Sequence, residues 1–134
     1  MSLIEASLSI VIISSAAAMA VPALIKTQED YVLTSAARDV ATKMHFARVR
    51  AISRNVDCRL RVISTKSYAV ECEDPLWALV SSMVLPRGIT IVANARPEFH
   101  PLGTVSPTAT VTLWNASGRQ RKVIVNIGGR IRIQ

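Results

Sequence analysis

LIEASLSIVIISSAAAMAVPALIK, Leu3 to Lys26, is apolar or small almost throughout, yet it carries a carboxylate at Glu5 and a proline at Pro22. As an α-helix, Leu3–Ile25 rises roughly 35 Å, enough to cross a bilayer core. No basic run precedes it, and it is longer than the apolar part of a secretory signal. The segment therefore reads as a membrane-spanning helix that continues into a polar extension at Lys26.

Glu5 does not fit a plain anchor. A carboxylate at mid-membrane costs roughly 3 kcal/mol even on insertion scales. Near a helix N-terminus the helix dipole favours it. A sharper reading is that Glu5 meets a positive group when the helix packs among copies of itself, and the α-amino group of residue 1 would serve. Pro22 lacks an N–H and kinks or loosens a helix, which lipid tolerates when neighbouring helices compensate. Ser14, Ser15, Ala16, Ala17, Ala18 and Ala20 are small enough for close helix–helix approach.

The rest of the chain has ordinary polarity and is basic. Sixteen Lys and Arg face nine Asp and Glu over 134 residues, and no acidic residue follows Glu98. Arg119, Arg121, Lys122, Arg130 and Arg132 all lie in that last stretch. Such a surplus either keeps a surface solvated or attracts polyanions. His45 and His100 stand in no ligand pattern and read as surface or packing residues. There is no metal-ligand spacing, phosphate-cradling glycine loop or nucleophile set, so the chain does not read as an enzyme and implies no cofactor.

The helix is expected to run on to about Asn55. Leu33, Ala37, Val40, Met44, Ala47 and Ala51 recur at steps of four and three and make one face. Arg38, Lys43, Arg48, Arg50 and Arg54 lie largely off it. In CRLRVISTKSYAVECED, Cys58 to Asp74, two alternating runs flank a turn near Ser64–Lys66. If Val62 faces Tyr68, then Leu60 faces Val70 and Cys58 faces Cys72. In an oxidising compartment that register predicts a Cys58–Cys72 disulfide; elsewhere it leaves two buried thiols. Further strands are expected near 89–93, 108–114, 121–126 and 130–133, with turns at 115–118 and at Gly128-Gly129. The expected fold class is α+β: a long N-terminal hydrophobic helix, kinked near Pro22, packed on a mainly antiparallel sheet. Residues 1–26 form the membrane helix and 27–134 the globular domain.

The spacing of Glu5 and Pro22, preceded by Leu3-Ile4 and set in an apolar run, resembles the N-terminus of mature type IV pilins and type II secretion pseudopilins. FHPLGT (99–104), TVTLWNASGRQRKVIV (110–125), GGRIRIQ (128–134) and ARVRAISRN (47–55) resemble the GspH/FimT-like branch. The resemblance implies a leader removed by a prepilin peptidase, and a methylated first residue. The family usually has phenylalanine there, where this chain has Met1. In register with the mature count, Met1 is expected to be the processed N-terminus, with Glu5 paired to its amine.

Two functions follow. One is a structural subunit of a pilus or pseudopilus, joined to copies of itself or to other pilins. It would sit in the inner membrane before assembly and in an extracellular or periplasmic filament afterwards. The other is a DNA-binding minor pilin acting in DNA uptake. FimT-like members share the Gly-Arg-x-Arg present here as Gly129-Arg130-Ile131-Arg132, and Arg119, Arg121 and Lys122 would extend the patch. A simple bitopic membrane protein is a third reading, but it leaves Glu5 and Pro22 together unexplained.

Overall fold

The computed structural model describes residues 2–134. A single helix, α1 (Leu3–Arg54), opens the chain and contains Pro22 in its interior. Eight strands follow: β1 (Cys58–Ser64), β2 (Ser67–Glu73), β3 (Trp77–Val84), β4 (Thr90–Ala93), β5 (Glu98–Phe99), β6 (Ala109–Trp114), β7 (Gln120–Val125) and β8 (Ile131–Ile133). The chain divides into two units, one ending at Tyr31 and the other running from Val32 to Gln134.

In the first unit, every described residue through Gln28 is exposed, including Leu8, Ile10, Val11, Ile12, Ile13 and Leu24. This part of α1 is long and apolar enough to cross a membrane. It buries nothing within its own chain, so its stability in water would rest on propensity alone, which is weak.

The second unit has its own core. The buried face of its helical part is Leu33, Ala36, Ala37, Val40, Ala41, Met44, Ala47 and Ala51. This is the stripe expected from the steps of three and four, widened by Ala36 and Ala41. Its many alanines keep the helix surface thin, which allows close approach. The helix ends where Asn55 turns to a left-handed φ of 56°. There the Val56 N–H reaches back to the Ala51 carbonyl at 3.2 Å. A left-handed residue followed by this 6→1 bond satisfies carbonyls that the helix end would otherwise orphan. Val56 then packs against the core and turns the chain into β1.

The strands fall into two four-stranded sheets, ordered β3-β2-β1-β5 and β4-β6-β7-β8. All the neighbouring pairs are antiparallel. Between β1 and β2 the register pairs Cys58 with Cys72, Leu60 with Val70 and Val62 with Tyr68. Cys58 and Cys72 are joined by a disulfide. Sequence reasoning assigned no strand between Asp74 and Ile89, where β3 lies. Trp77–Val84 shows no clean alternation because β3 is an edge strand with no fully buried residue and pairs with β2 through an irregularity at Val70/Glu71. Inner-face residues of both sheets (Leu60, Val70, Phe99, Ile91, Val111, Leu113, Val123 and Val125) join the helical stripe in one core.

Tyr68 is among the largest fully buried side chains. Burial, and secondarily the charge of Asp39, push its pKa up to about 12 from the ordinary 10.0. An unfolded chain releases this proton near 10, whereas the folded chain holds it to about 12. The stabilising contribution is complete below pH 10 and is lost as pH rises from 10 through 12. Equilibrium denaturation of the full chain between pH 9 and 12 is expected to show a steep loss of stability that flattens in Tyr68→Phe.

Candidate assembly helix and basic face

The start of α1 is capped by its own sequence. The Glu5 N–H donates to the Ser2 carbonyl at 3.1 Å and to Ser2 Oγ at 3.3 Å, and the Ala6 N–H donates to the Ser2 carbonyl at 3.2 Å. Ser2-Leu3-Ile4-Glu5 is thus Ser-x-x-Glu at a helix N-terminus, the spacing of a capping box. Sequence reasoning assigned Glu5 to the helix dipole or to an ion pair and missed this local signal, although Ser2 was in view. Met1, the expected partner, lies outside the described residues.

The hydroxyls of this helix are turned inward on its own backbone. Ser7 donates to the Leu3 carbonyl, Ser9 to Glu5, Ser14 to Ile10, Ser15 to Ile12 and Thr27 to Ala23, all within 2.7–2.9 Å. Each of these hydroxyls is satisfied without a partner helix. Through Ile25 the outward surface is therefore apolar apart from Glu5. Pro22 has no N–H to offer the Ala18 carbonyl four residues back, so one acceptor of the helix ladder loses its donor.

In the second unit the expected cationic cluster separates by strand alternation. On β7, Lys122 pairs with Thr112 while Arg121 pairs with Leu113, a buried core residue. Successive strand residues point to opposite faces, so Arg121 belongs to the inner-face row and Lys122 to the outer one. Arg132 pairs with Ile124, two residues from Lys122, and joins it on the outer face. Arg130 precedes β8 by one residue and is exposed, two positions from Arg132. Lys122, Arg130 and Arg132 form the coherent part of the patch. Arg119 sits at the β6–β7 turn, where its N–H donates to Asn115 Oδ1 at 2.9 Å. The half-buried Trp114 lies in the same outer row as Thr112, across from Gln120.

Other cations are already engaged. Arg59 Nη2 meets Glu71 Oε2 at 2.7 Å, Arg61 Nη1 meets Glu71 Oε1 at 3.2 Å, and Arg59 lies 4.0 Å from the Trp77 ring centroid. Arg48 donates from Nε to the Gly103 carbonyl at 3.1 Å and from Nη2 to the Gly128 carbonyl at 3.5 Å. It ties the end of α1 to both the 100–104 loop and the β7–β8 turn. Gly129, with φ +79°, sits against this guanidinium, and a Cβ there would collide with the Gly103 carbonyl and stand 2.7 Å from Arg48 Nε. The glycine of Gly-Arg-x-Arg is thus required by the fold. His100, read from sequence as a plain residue, is brought beside Asp57 and Glu98, a proximity created by strand pairing and absent from any local spacing.

An exposed apolar N-terminal helix followed by a helix-on-antiparallel-sheet domain defines a pilin-like protein. A family model described as Type II transport protein GspH matches residues 36–129, and the chain belongs to that family. The fold is similar to that of the minor pseudopilin EpsH from the Type 2 Secretion System of Vibrio cholerae (14% identity, TM-score 0.66, 76% of this chain and 95% of that one). It is also similar to the type IV minor pilin FimU of Pseudomonas aeruginosa (18% identity, TM-score 0.66, 81% of this chain and 92% of that one). No curated protein sequence matches the chain.

Gly129→Ala is expected to lower stability by about 1–3 kcal/mol from backbone conformation, with a further loss from the collision. Gly118, with φ +84° and nothing near its Cβ position, supplies the comparison. Urea unfolding of Gly129→Ala should show a midpoint clearly below that of Gly118→Ala.

Proposed function

We propose that the protein is a subunit of a type IV pilus or secretion pseudopilus, assembled through the N-terminal part of α1. One observation carries this reading: a helix segment with every described side chain exposed, apolar through Ile25 except for Glu5. Lipid covers that surface before assembly and neighbouring helices cover it afterwards. In low dielectric an unpaired carboxylate is heavily penalised, so a register that pairs Glu5 with an N-terminal amine, its own or a neighbour's, is favoured over others. The internally bonded serines and the alanines allow close packing, and the freed acceptor near Pro22 lets the helix adjust within a bundle. The fold shared with a minor pilin and a minor pseudopilin favours a minor position in the filament. Processing by a prepilin peptidase at Met1, insertion in the inner membrane and export into a filament complete the proposal.

Glu5→Ala separates assembly from anchoring. The variant is expected to insert in membranes at least as well as the parent and to disappear from the sheared filament fraction, read by mass spectrometry. Equal recovery in filaments would remove the proposed role of Glu5.

A second reading, binding of DNA during uptake, is favoured by the shared outer face of Lys122 and Arg132 with Arg130 beside them. Contacts of this kind engage phosphates without reading sequence. Filter binding of duplex DNA across a salt series is expected to give a log–log slope that loses about 0.9 for each of Lys122, Arg130 and Arg132 changed to Ala. Arg121→Ala should leave the slope unchanged. Affinity that ignores all three changes would eliminate this reading.

A further inference from the structure

Asp57, Glu98 and His100 meet at the point where the chain leaves α1 and enters the first sheet. Among the described residues, one ligand-capable atom from each lies within 4.8 Å of the other two. The ladder builds this arrangement. Cys58 pairs with Phe99 and Arg59 with Glu98, so one further step sets Asp57 across from His100. Glu98 and His100 flank Phe99 and share its opposite face. The backbones are held in place: Asp57 O accepts from the Glu73 N–H at 2.9 Å, Glu98 O from the Ser106 N–H at 3.1 Å, and the His100 N–H donates to Thr104 O at 2.9 Å.

The charges at this point do not balance within the protein. His100 Nδ1 and Asp57 Oδ1 are 2.8 Å apart, which orients the imidazole. The Glu98 carboxylate, half-buried, makes no hydrogen bond or ion pair with any described residue. Arg59 stands opposite it in the ladder, yet its Nε and Nη2 both go to Glu71 and its guanidinium lies on Trp77. Two carboxylates thus converge on one imidazole with no cation directed at them, and like charges at this range repel.

We propose that Asp57, Glu98 and His100 bind a divalent transition-metal cation. One nitrogen and two carboxylate oxygens are a borderline donor set, suited to zinc or its neighbours and poorly suited to calcium or magnesium, which take oxygen ligands. Coordination through Nδ1 replaces its hydrogen bond to Asp57 and places the imidazole proton on Nε2, so that a neutral imidazole and two carboxylates face the two positive charges. The cation joins Asp57, the residue just before β1, to the segment from β5 to the 100–104 loop, so it fastens the helix exit to the strand that closes the first sheet.

The test is zinc binding by the full chain in detergent, read by competition with a chromogenic chelator, with calcium and magnesium in parallel. One equivalent of Zn²⁺ is expected to bind, and the thermal midpoint to rise with it. Glu98→Gln, which keeps the shape and removes the charge, and His100→Ala are each expected to weaken binding by more than about tenfold. His45→Ala, at an exposed helix position, should bind as the parent does. Circular dichroism of each variant reports its fold independently of metal, and Glu98→Gln carries the test if His100→Ala is unfolded. The proposal is overturned by absence of saturable zinc binding, by binding that Glu98→Gln leaves intact, or by calcium binding as tightly as zinc.

Discussion

Backbone polar groups must be paired wherever water is excluded, and a helix is the one element that pairs them without help from another chain segment. The rest of this structure depends on how one helix uses that property twice. From Leu3 through Ile25 it presents apolar side chains in every direction, folds its serine hydroxyls back on its own carbonyls and retains a single charge at its capped start. From Leu33 to Ala51 it presents one narrow, alanine-rich stripe to a sheet domain. The first arrangement needs an apolar solvent or other helices. The second is satisfied within the chain, so the helix belongs to two environments along its length.

The globular unit is closed at the helix exit. Asn55 turns left-handed, Val56 returns to Ala51, Asp57 meets His100, and Cys58 is bonded to Cys72, all within four consecutive residues. Arg48 fastens the same end of the helix to two loops of the later chain. Buried apolar area and these fixed junctions hold the helix against both sheets.

What was legible in the sequence was what is periodic. The stripe from Leu33 to Ala51 and the facing of Leu60 with Val70 follow from spacings of 3.6 and 2. The division of the strands between two sheets was not legible, because alternation names the buried face of a strand and not its neighbours. β3 escaped because an irregular edge strand has no buried row to betray it. Ser2 escaped for the opposite reason: its signal is a single residue, visible only when Glu5 is read as the third residue of a helix. The convergence of Asp57, Glu98 and His100 exists only through pairing of β1 with β5.

Charge shows the same limit with a functional consequence. A net charge of +7 counts every cation alike, whereas the fold assigns them separate tasks. Arg59 and Arg61 share Glu71, Arg48 serves two carbonyls, and Arg121 follows the inner-face row of β7. In Gly129-Arg130-Ile131-Arg132, the glycine is demanded by the Gly103 carbonyl and the Arg48 guanidinium, and Ile131 by its packing against the core. Half of the motif is therefore explained by folding alone and carries no weight for a ligand. What bears on polyanion binding is the placement of the two arginines beside Lys122, and that rests on the register of β7 with β8, which no motif encodes.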